Sequence, residues 1–159
     1  MLFDVQPWLK GELVELRPLR AEDYADLYAV AADPLVWEQH PDPERYRERA
    51  FSGFFRDALE SGSSRYHGYD DERDEVEIGW SFLARSHWGG VYNRELKELM
   101  LNHAFRFVSS VIFLVGPDNV RSQRAVEKIG GVRAGSRLDG SGQQSLLYRI
   151  YRTEASTRP

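Results

Sequence analysis

The sequence predicts an α/β or α+β fold, and three observations carry the prediction. EVEIGWSFL alternates between apolar residues and small or acidic ones, as a strand with two different faces does. VIFLV, at Val111 to Val115, is nearly continuous apolar sequence, the pattern of a strand covered on both faces. Between them lies a helical stretch, so the centre of the chain reads as strand–helix–strand, two parallel strands joined by a crossover helix. At 159 residues the chain fits one globular domain, which at this size buries about two-thirds of the surface its unfolded form exposes.

The elements follow in order. Val14 and Leu16 alternate with Glu15 and Arg17 in a short strand that Pro18 ends. Ala21 to about Ala32 reads as a helix, with Glu22 and Asp23 in its first turn, a stripe of Tyr24, Leu27, Tyr28 and Ala31, and Pro34 closing it. A second helix begins at Asp42-Pro43, an N-cap followed by proline at the first helical position. Its stripe (Tyr46, Ala50, Phe51, Phe54, Phe55, Ala58 and Leu59) is expected to pack against a sheet, and Ser61-Gly62 ends it. Ser63 to Tyr69 is a strand, and Asp70 to Asp74 a solvated acidic turn. In EVEIGWSFL, Val76, Ile78, Trp80 and Phe82 face one way and Glu75, Glu77, Gly79 and Ser81 the other. The loop ARSHWGGVYN leads into a helix from about Arg94 to Val108. After VIFLV come GPDN, a short helix from about Val120 to Ile129 capped by Gly130-Gly131, and a terminal hairpin from Val132 to Arg137 and LLYRIYR. The residues from about 153 to 159 are expected to fray.

Composition excludes several classes of chemistry. The chain has no cysteine, so a thiol nucleophile, a disulfide scaffold and thiolate zinc sites are ruled out. Net charge is −4, with a pI near 5.6, which argues against a dedicated nucleic-acid binder. No apolar run approaches the roughly 20 residues of a membrane span, and MLFDVQPWLKGEL lacks the pattern of a signal peptide. The expectation is a cytoplasmic protein. His40, His67, His87 and His103 show no metal-ligand spacing, and His103 sits on an apolar helix face as a core residue.

The glycine loop entering a helix is the chemically informative segment. Unpaired N–H groups and a positive dipole end make an anion site there, with Arg85, Arg94 and Lys97 as sources of charge. By itself, Gly-Gly before a helix is an ordinary turn as readily as a phosphate cradle.

Taken together with its neighbours, the segment resembles the acetyl-CoA motif of the GNAT N-acetyltransferase superfamily, and most resembles the RimJ/RimL-like branch of ribosomal-protein N-terminal acetyltransferases. ELVELRPLRAEDYADLYAVAADP resembles the opening strand and helix, VEIGWSFL the fourth strand, HWGGVYNRELK the pyrophosphate loop, and GPDNVRSQRAVEKIGGVRAGSR the final strand–helix–strand. The loop departs from the usual Q/R-x-x-G-x-G/A, with Val91 and Asn93 at positions normally held by small residues, and fits a W-G-x-x-x-N-x-E-x-K variant. The resemblance implies a GNAT-type mixed, mostly antiparallel twisted sheet with a central strand–helix–strand unit and flanking helices. It implies acetyl-CoA as co-substrate with no metal, held in the opening between the Val76–Leu83 and Val111–Val115 strands. The backbone of Gly89, Gly90, Val91, Tyr92, Asn93 and Arg94 would hold the pyrophosphate, assisted by Arg85. Phe82 and Leu83 would flank the acyl end, where backbone N–H groups meet the acyl oxygen. Asn119 would meet the pantetheine arm, and Arg124 and Lys128 could approach the adenosine phosphate.

Transfer to an amine needs a base for the ammonium proton and, where the leaving thiolate requires it, a donor. The resemblance makes Glu77 the base, with Glu75 in reserve; the alternative is a solvated glutamate paired with Arg65 or Arg137. Asn119 and Ser122, in N-V-R-S, resemble the family's N-x-x-S/A element, and that resemblance implies Ser122 as the candidate donor. Val126 stands where many relatives carry a tyrosine, which excludes a tyrosine acid there. Asn119 is equally explained as the cap of the following helix. Trp37, His40, Tyr66 and His67 would line the acceptor pocket. The acceptor is a primary amine, either a protein N-terminus or a small molecule; no membrane is expected as a partner, and a homodimer is left open. A non-catalytic acyl-CoA-binding or regulatory domain is the alternative function. Relatives carry a further strand and tight turn before SSRYHGY; here ESG runs directly into SSRYHG. Either the protein lacks that strand, or a strand-length segment near Ser61 to Ser64 is absent only from this sequence. The second is the expectation, because losing a central strand would expose edges and core.

Overall fold

A computed structural model describes residues 2–62, 66–79, 82–139 and 141–154. Two short strands open the fold, β1 (Leu9–Lys10) and β2 (Glu15–Leu16), paired antiparallel. Helices α1 (Tyr24–Ala31) and α2 (Glu48–Ser61) follow, then β3 (Tyr66–Asp70), β4 (Glu75–Ile78), α3 (Val91–Ala104), β5 (Ser110–Val115), α4 (Val120–Lys128), β6 (Val132–Leu138) and β7 (Gln144–Tyr151). The five later strands form one sheet in the order β3-β4-β5-β7-β6. Its β4–β5 pair is parallel and its other pairs are antiparallel, the mixed and mostly antiparallel sheet that the sequence led us to expect.

The central unit forms as predicted because its two strands are buried. Val76 and Val111 are fully buried and Ile78 nearly so, packed against Leu96, Met100 and Ala104 of α3. Each aliphatic side chain so buried contributes roughly 1.5–3 kcal/mol. His103 joins this core, its Nε2 hydrogen-bonded at 2.7 Å to the carbonyl oxygen of Asp4.

Several boundaries differ from expectation for local reasons. Asp42-Pro43 starts only a 3-10 turn (Pro43–Tyr46); Arg47 is extended, and α2 begins after it at Glu48. Among the described residues the aromatic stripe of α2 meets α1 and neighbouring turns: Phe51 packs on Tyr24, Tyr28 and Phe82, and Phe54 on Trp37 and Phe82. The helix ends at Gly62, whose φ of 64° is the left-handed cap that glycine adopts without a Cβ penalty. Helix α3 starts three residues earlier than expected, at Val91. The N-terminal lead contributes β1, which carries no strand signal of its own length.

Among the described residues no strand stands between α2 and β3, so β3 is an edge of the larger sheet. Ser63, Ser64 and Arg65 lie outside the described residues, and with them the place where a segment was expected to be missing, the start of the expected strand and the Arg65 pairing. Trp80, Ser81 and the last five residues lie outside them as well.

The feature that positions the site is the parting of β4 from β5. They pair over Glu75–Glu77 and Ser110–Ile112, while β5 runs on beside β7 to Val115. Beyond Glu77 the two strands have no described pairing, and Gly79 and Gly116 stand on either side of the opening.

Candidate active site

The loop into α3 is shaped by two glycines. Trp88 Nε1 donates to the Leu83 carbonyl at 3.1 Å, and Gly89 and Gly90 follow with φ of 114° and 104°. An L-residue is strained at both, and a Cβ built at either would meet nothing within 4 Å, so the space above the turn is open. Arg94 N–H already donates to Gly90 O at 2.8 Å, which closes the first helical turn. That leaves the amides of Val91, Tyr92 and Asn93 without an intrahelical acceptor, and Gly90 supplies no side-chain cap. An anion is the natural partner for such a helix start.

Asn93 and, one turn on, the buried Lys97 face a cleft of about 880 Å³ that fills the opening between β4 and β5. Glu95 turns the other way. Its carboxylate accepts the backbone N–H groups of Glu12, Leu13 and Val14 at 2.7, 2.8 and 2.7 Å, tying the β1–β2 turn to α3.

Opposite this helix start, Asn119 caps α4, its Oδ1 accepting the Ser122 N–H at 3.2 Å. Ser122 lies on the cleft wall. Gln123 donates to the carbonyls of Gly116 and Pro117 at 3.1 and 2.9 Å, fixing the turn that leads from β5.

Deeper in the cleft stand Glu77 and His67, cross-strand partners on β4 and β3. Both side chains crowd Gly79: a Cβ there would lie 3.3 Å from the His67 ring and 3.5 Å from Glu77 Oε1. Burial pushes the Glu77 carboxyl up to about 7; Arg137 draws it partly back and Asp139 adds to the rise. Burial lowers His67 to about 4. His40 is also lowered to about 4, by burial and then by the charge of Arg45, and its Nδ1 accepts the Asp42 N–H at 2.9 Å. Both imidazoles are therefore neutral at neutral pH, where Glu77 is half ionised.

One wall is aromatic. Trp37 is buried and donates its indole N–H to Ala31 O at 2.8 Å, His40 meets it edge-on at 5.4 Å, and the Arg45 guanidinium lies 4.3 Å from the Phe54 ring centre. The far wall is the β6–β7 turn, where Asp139 accepts the N–H groups of Ser141 and Gln143 at 2.9 and 3.0 Å.

Of the residues singled out from sequence, the cleft brings together Glu77, Ser122, Phe82, Asn93, Asn119, Trp37, His40 and His67. Gly89, Gly90, Val91, Tyr92 and Arg94 form the adjoining helix start, with Leu83 holding Trp88 behind it. Four stand elsewhere. Arg85 is paired with Asp33, Arg124 and Lys128 are exposed on α4, and Tyr66 is a core residue whose hydroxyl donates to Met100 O at 2.7 Å. Arg137 pairs with Glu75, not Glu77, and Glu75 is buried by that pairing. The sequence reading missed Arg45, Asp57 and the Asp139–Ser145 turn. Arg45 closely follows WEQHP and could have been grouped with it, whereas nothing local shows that the terminal hairpin turn folds over the cleft.

The profile of the acetyltransferase (GNAT) domain matches residues 14–132, and the chain belongs to that family. GNAT acetyltransferases use acetyl-CoA for acyl transfer, and the open glycine turn, the three first-turn amides and the adjoining cleft fit its pyrophosphate and arm. The fold is similar to that of a GNAT-family acetyltransferase from Bacillus anthracis (21% identity, TM-score 0.70, covering 91% of this chain and 98% of that one). It is also similar to an acetyltransferase from Agrobacterium tumefaciens (23%, 0.65, covering 96% and 98%). Mycobacterium smegmatis RimJ in complex with CoA-disulfide is more distant, at 19% identity and TM-score 0.57, covering 86% of this chain and 81% of that one. No curated protein matches the chain. Among the described residues no group of three or more His, Cys, Asp or Glu could hold a metal ion, and no helix is long and apolar enough to cross a membrane.

Proposed function

We propose that this protein is an N-acetyltransferase of RimJ/RimL-like type that moves an acetyl group directly to a primary amine, a protein N-terminus or a small amine, in a ternary complex. The observation that carries the reading is Glu77: a half-buried carboxylate in the cleft, raised to about 7, on the strand beside the opening where the cofactor fits. Acetyl-CoA supplies the activated thioester carbon. The amides of Val91, Tyr92 and Asn93 hold its pyrophosphate, and Asn119 meets its arm.

The acceptor arrives as an ammonium, which is not nucleophilic. Glu77 accepts its proton, and a carboxylate raised to about 7 is a far stronger base than one at the ordinary value of 4.5. The neutral imidazoles of His40 and His67 line the same space without adding a cation that would repel the ammonium. The freed amine nitrogen bonds to the thioester carbon as the carbon–sulfur bond breaks. The second nitrogen proton passes to the departing sulfur, and Ser122 would relay that proton, regaining one as it gives one up.

The test is a panel of amines and N-terminal peptides with acetyl-CoA, following free thiol. Because the protein has no cysteine, every thiol detected comes from the cofactor. Glu77→Gln is expected to keep CoA affinity and lose turnover by 10²-fold or more, on the order of general-base catalysis. If no acceptor on the panel releases thiol while CoA still binds, the chain is an acyl-CoA-binding module instead.

A further inference from the structure

Glu75 is a buried carboxylate that proton transfer at Glu77 does not explain by itself. It is 3% exposed, and each of its oxygens accepts one arginine N–H: Arg137 Nη1 on Oε1 and Arg149 Nη2 on Oε2, both at 2.8 Å. The two arginines come from β6 and β7, and Arg73 Nη1 stands farther off, at 3.9 Å. Glu77 is two residues on and on the same strand face, so the two carboxylates are spaced by about 7 Å. Yet no ion pair reaches Glu77 among the described residues, although Arg137 is near enough for its charge to act there.

We propose that Glu75 is a positioning residue for acyl transfer: by holding Arg137 and Arg149 it keeps both guanidinium groups off Glu77, whose carboxylate then faces the cleft with its lone pairs available for the acceptor's proton. The proposal rests on the reading of Glu77 as the base. An arginine bound directly to Glu77 would form a charge-assisted hydrogen bond, stabilise the ionised form and weaken the base, and it would fill the space the amine needs.

The surroundings of Glu77 are consistent with one controlling cation. From β3 it meets neutral His67, and from the β6–β7 turn Asp139, which is itself committed to the turn amides. β5 contributes Ile112 in register and no charge. Across the cleft stand Lys97 of α3 and Asp57 of α2, with His40, Asp42 and Arg45 in the turns before α2. Asp42 and Arg45 face each other at 3.3 Å. Among the described residues, Arg137 draws the Glu77 carboxyl down and Asp139 pushes it up, so the two oppose each other.

The experiment is the pH dependence of kcat/KM for the full chain, with acetyl-CoA and the best acceptor from the panel. In Glu75→Gln, Arg137 turns to Glu77, so the acid limb moves to lower pH by about one unit or more and the plateau rate falls. Arg137→Gln moves the limb up instead, and the double variant Glu75→Gln/Arg137→Gln returns it to the parent position or above. Glu75→Asp keeps a buried charge for Arg149 and carries the test, with a smaller downward shift, if the glutamine variant does not fold. A limb that stays at the parent pH in the Glu75 variants, or fails to rise in Arg137→Gln, overturns the proposal and leaves Glu75 a structural ion pair. The readings separate at Glu77→Gln: if it retains turnover, the base assignment is wrong; if it is inactive while the Glu75 limb is unmoved, only the positioning role fails.

Discussion

Glu75 and Glu77 share a strand face but not an environment, and the difference decides their chemistry. Two arginines saturate Glu75, while Glu77 is half-buried and no ion pair reaches it among the described residues. For the parent protein, kcat/KM should therefore rise tenfold per pH unit up to about 7 and level off, provided the acceptor amine's own ionisation is corrected for. A limb near 4.5 would show that Glu77 is not the group titrating. Glu95 makes a different kind of prediction. Burial pushes its carboxyl up, and three backbone N–H bonds more than reverse this. Removing them in Glu95→Ala should free the β1–β2 turn, measured as faster amide exchange at Glu12, Leu13 and Val14 while α3 amides keep their protection. Gly11 belongs to the same contact, since a Cβ there would lie 2.6 Å from the Glu95 carboxyl carbon. The glutamate of the W-G-x-x-x-N-x-E-x-K pattern thus serves the fold, while its asparagine and lysine serve the cleft.

At the scale of elements, the two helix starts flanking the cleft are built oppositely. α4 is capped by its own Asn119, whereas α3 begins on a glycine that caps nothing. Asn119→Ala should cost about 1 kcal/mol, the worth of an N-cap, and lower the melting temperature by about 2–4 °C. Asn119→Asp keeps the cap and so separates stability from any contact with the cofactor arm, which CoA titration would read. Gly90→Ala forces a side chain into a φ of 104° and should cost roughly 1–3 kcal/mol. The change also tilts the amides of Val91 to Asn93, so CoA affinity should fall with stability; an unchanged affinity would mean that the pyrophosphate sits elsewhere. The sequence showed both glycines and the following helix, but it put the helix start at Arg94. The physical reason is that Val91 and Asn93 are poor helix formers, and only the glycine turn and the packing of Leu96 and Met100 carry the helix back to Val91.

For the whole molecule, three half-buried groups of the cleft contribute to the pH dependence of stability. His40 and His67 are lowered from 6.5 to about 4, so the unfolded chain binds more protons between those values. Their contribution is complete above pH 6.5 and is lost as pH falls toward 4, on the order of 2–3 kcal/mol each. Glu77 works in the opposite sense. It is raised from 4.5 to about 7, so its contribution is complete below pH 4.5 and is lost as pH rises through 7. Glu77→Gln should accordingly stabilise the protein above pH 7, by at most roughly 3 kcal/mol, and leave it unchanged below pH 4.5. Denaturant midpoints across pH 4 to 8 for both proteins measure this directly, and equal midpoints at pH 8 would contradict the buried placement of Glu77.

The sequence by itself determined the order of elements from β2 onward, the strand–helix–strand centre and the faces of β4 and β5. These rest on side-chain period, which is local: Val76 and Ile78 alternate with Glu75 and Glu77 whatever the strand packs against. Local pattern placed the glycine turn before a helix, Glu77 on a strand face and Asn119 at a helix cap, and the family resemblance singled them out as site residues. Only the tertiary structure decided the partners. Glu75 meets Arg137 and Arg149 across sequence separations of 62 and 74 residues, Arg85 turns from the loop to Asp33, and the terminal hairpin brings Asp139 over the cleft. Charge pairing acts through space and has no period along the chain, so the sequence could name the carboxylate and not the environment that raises it.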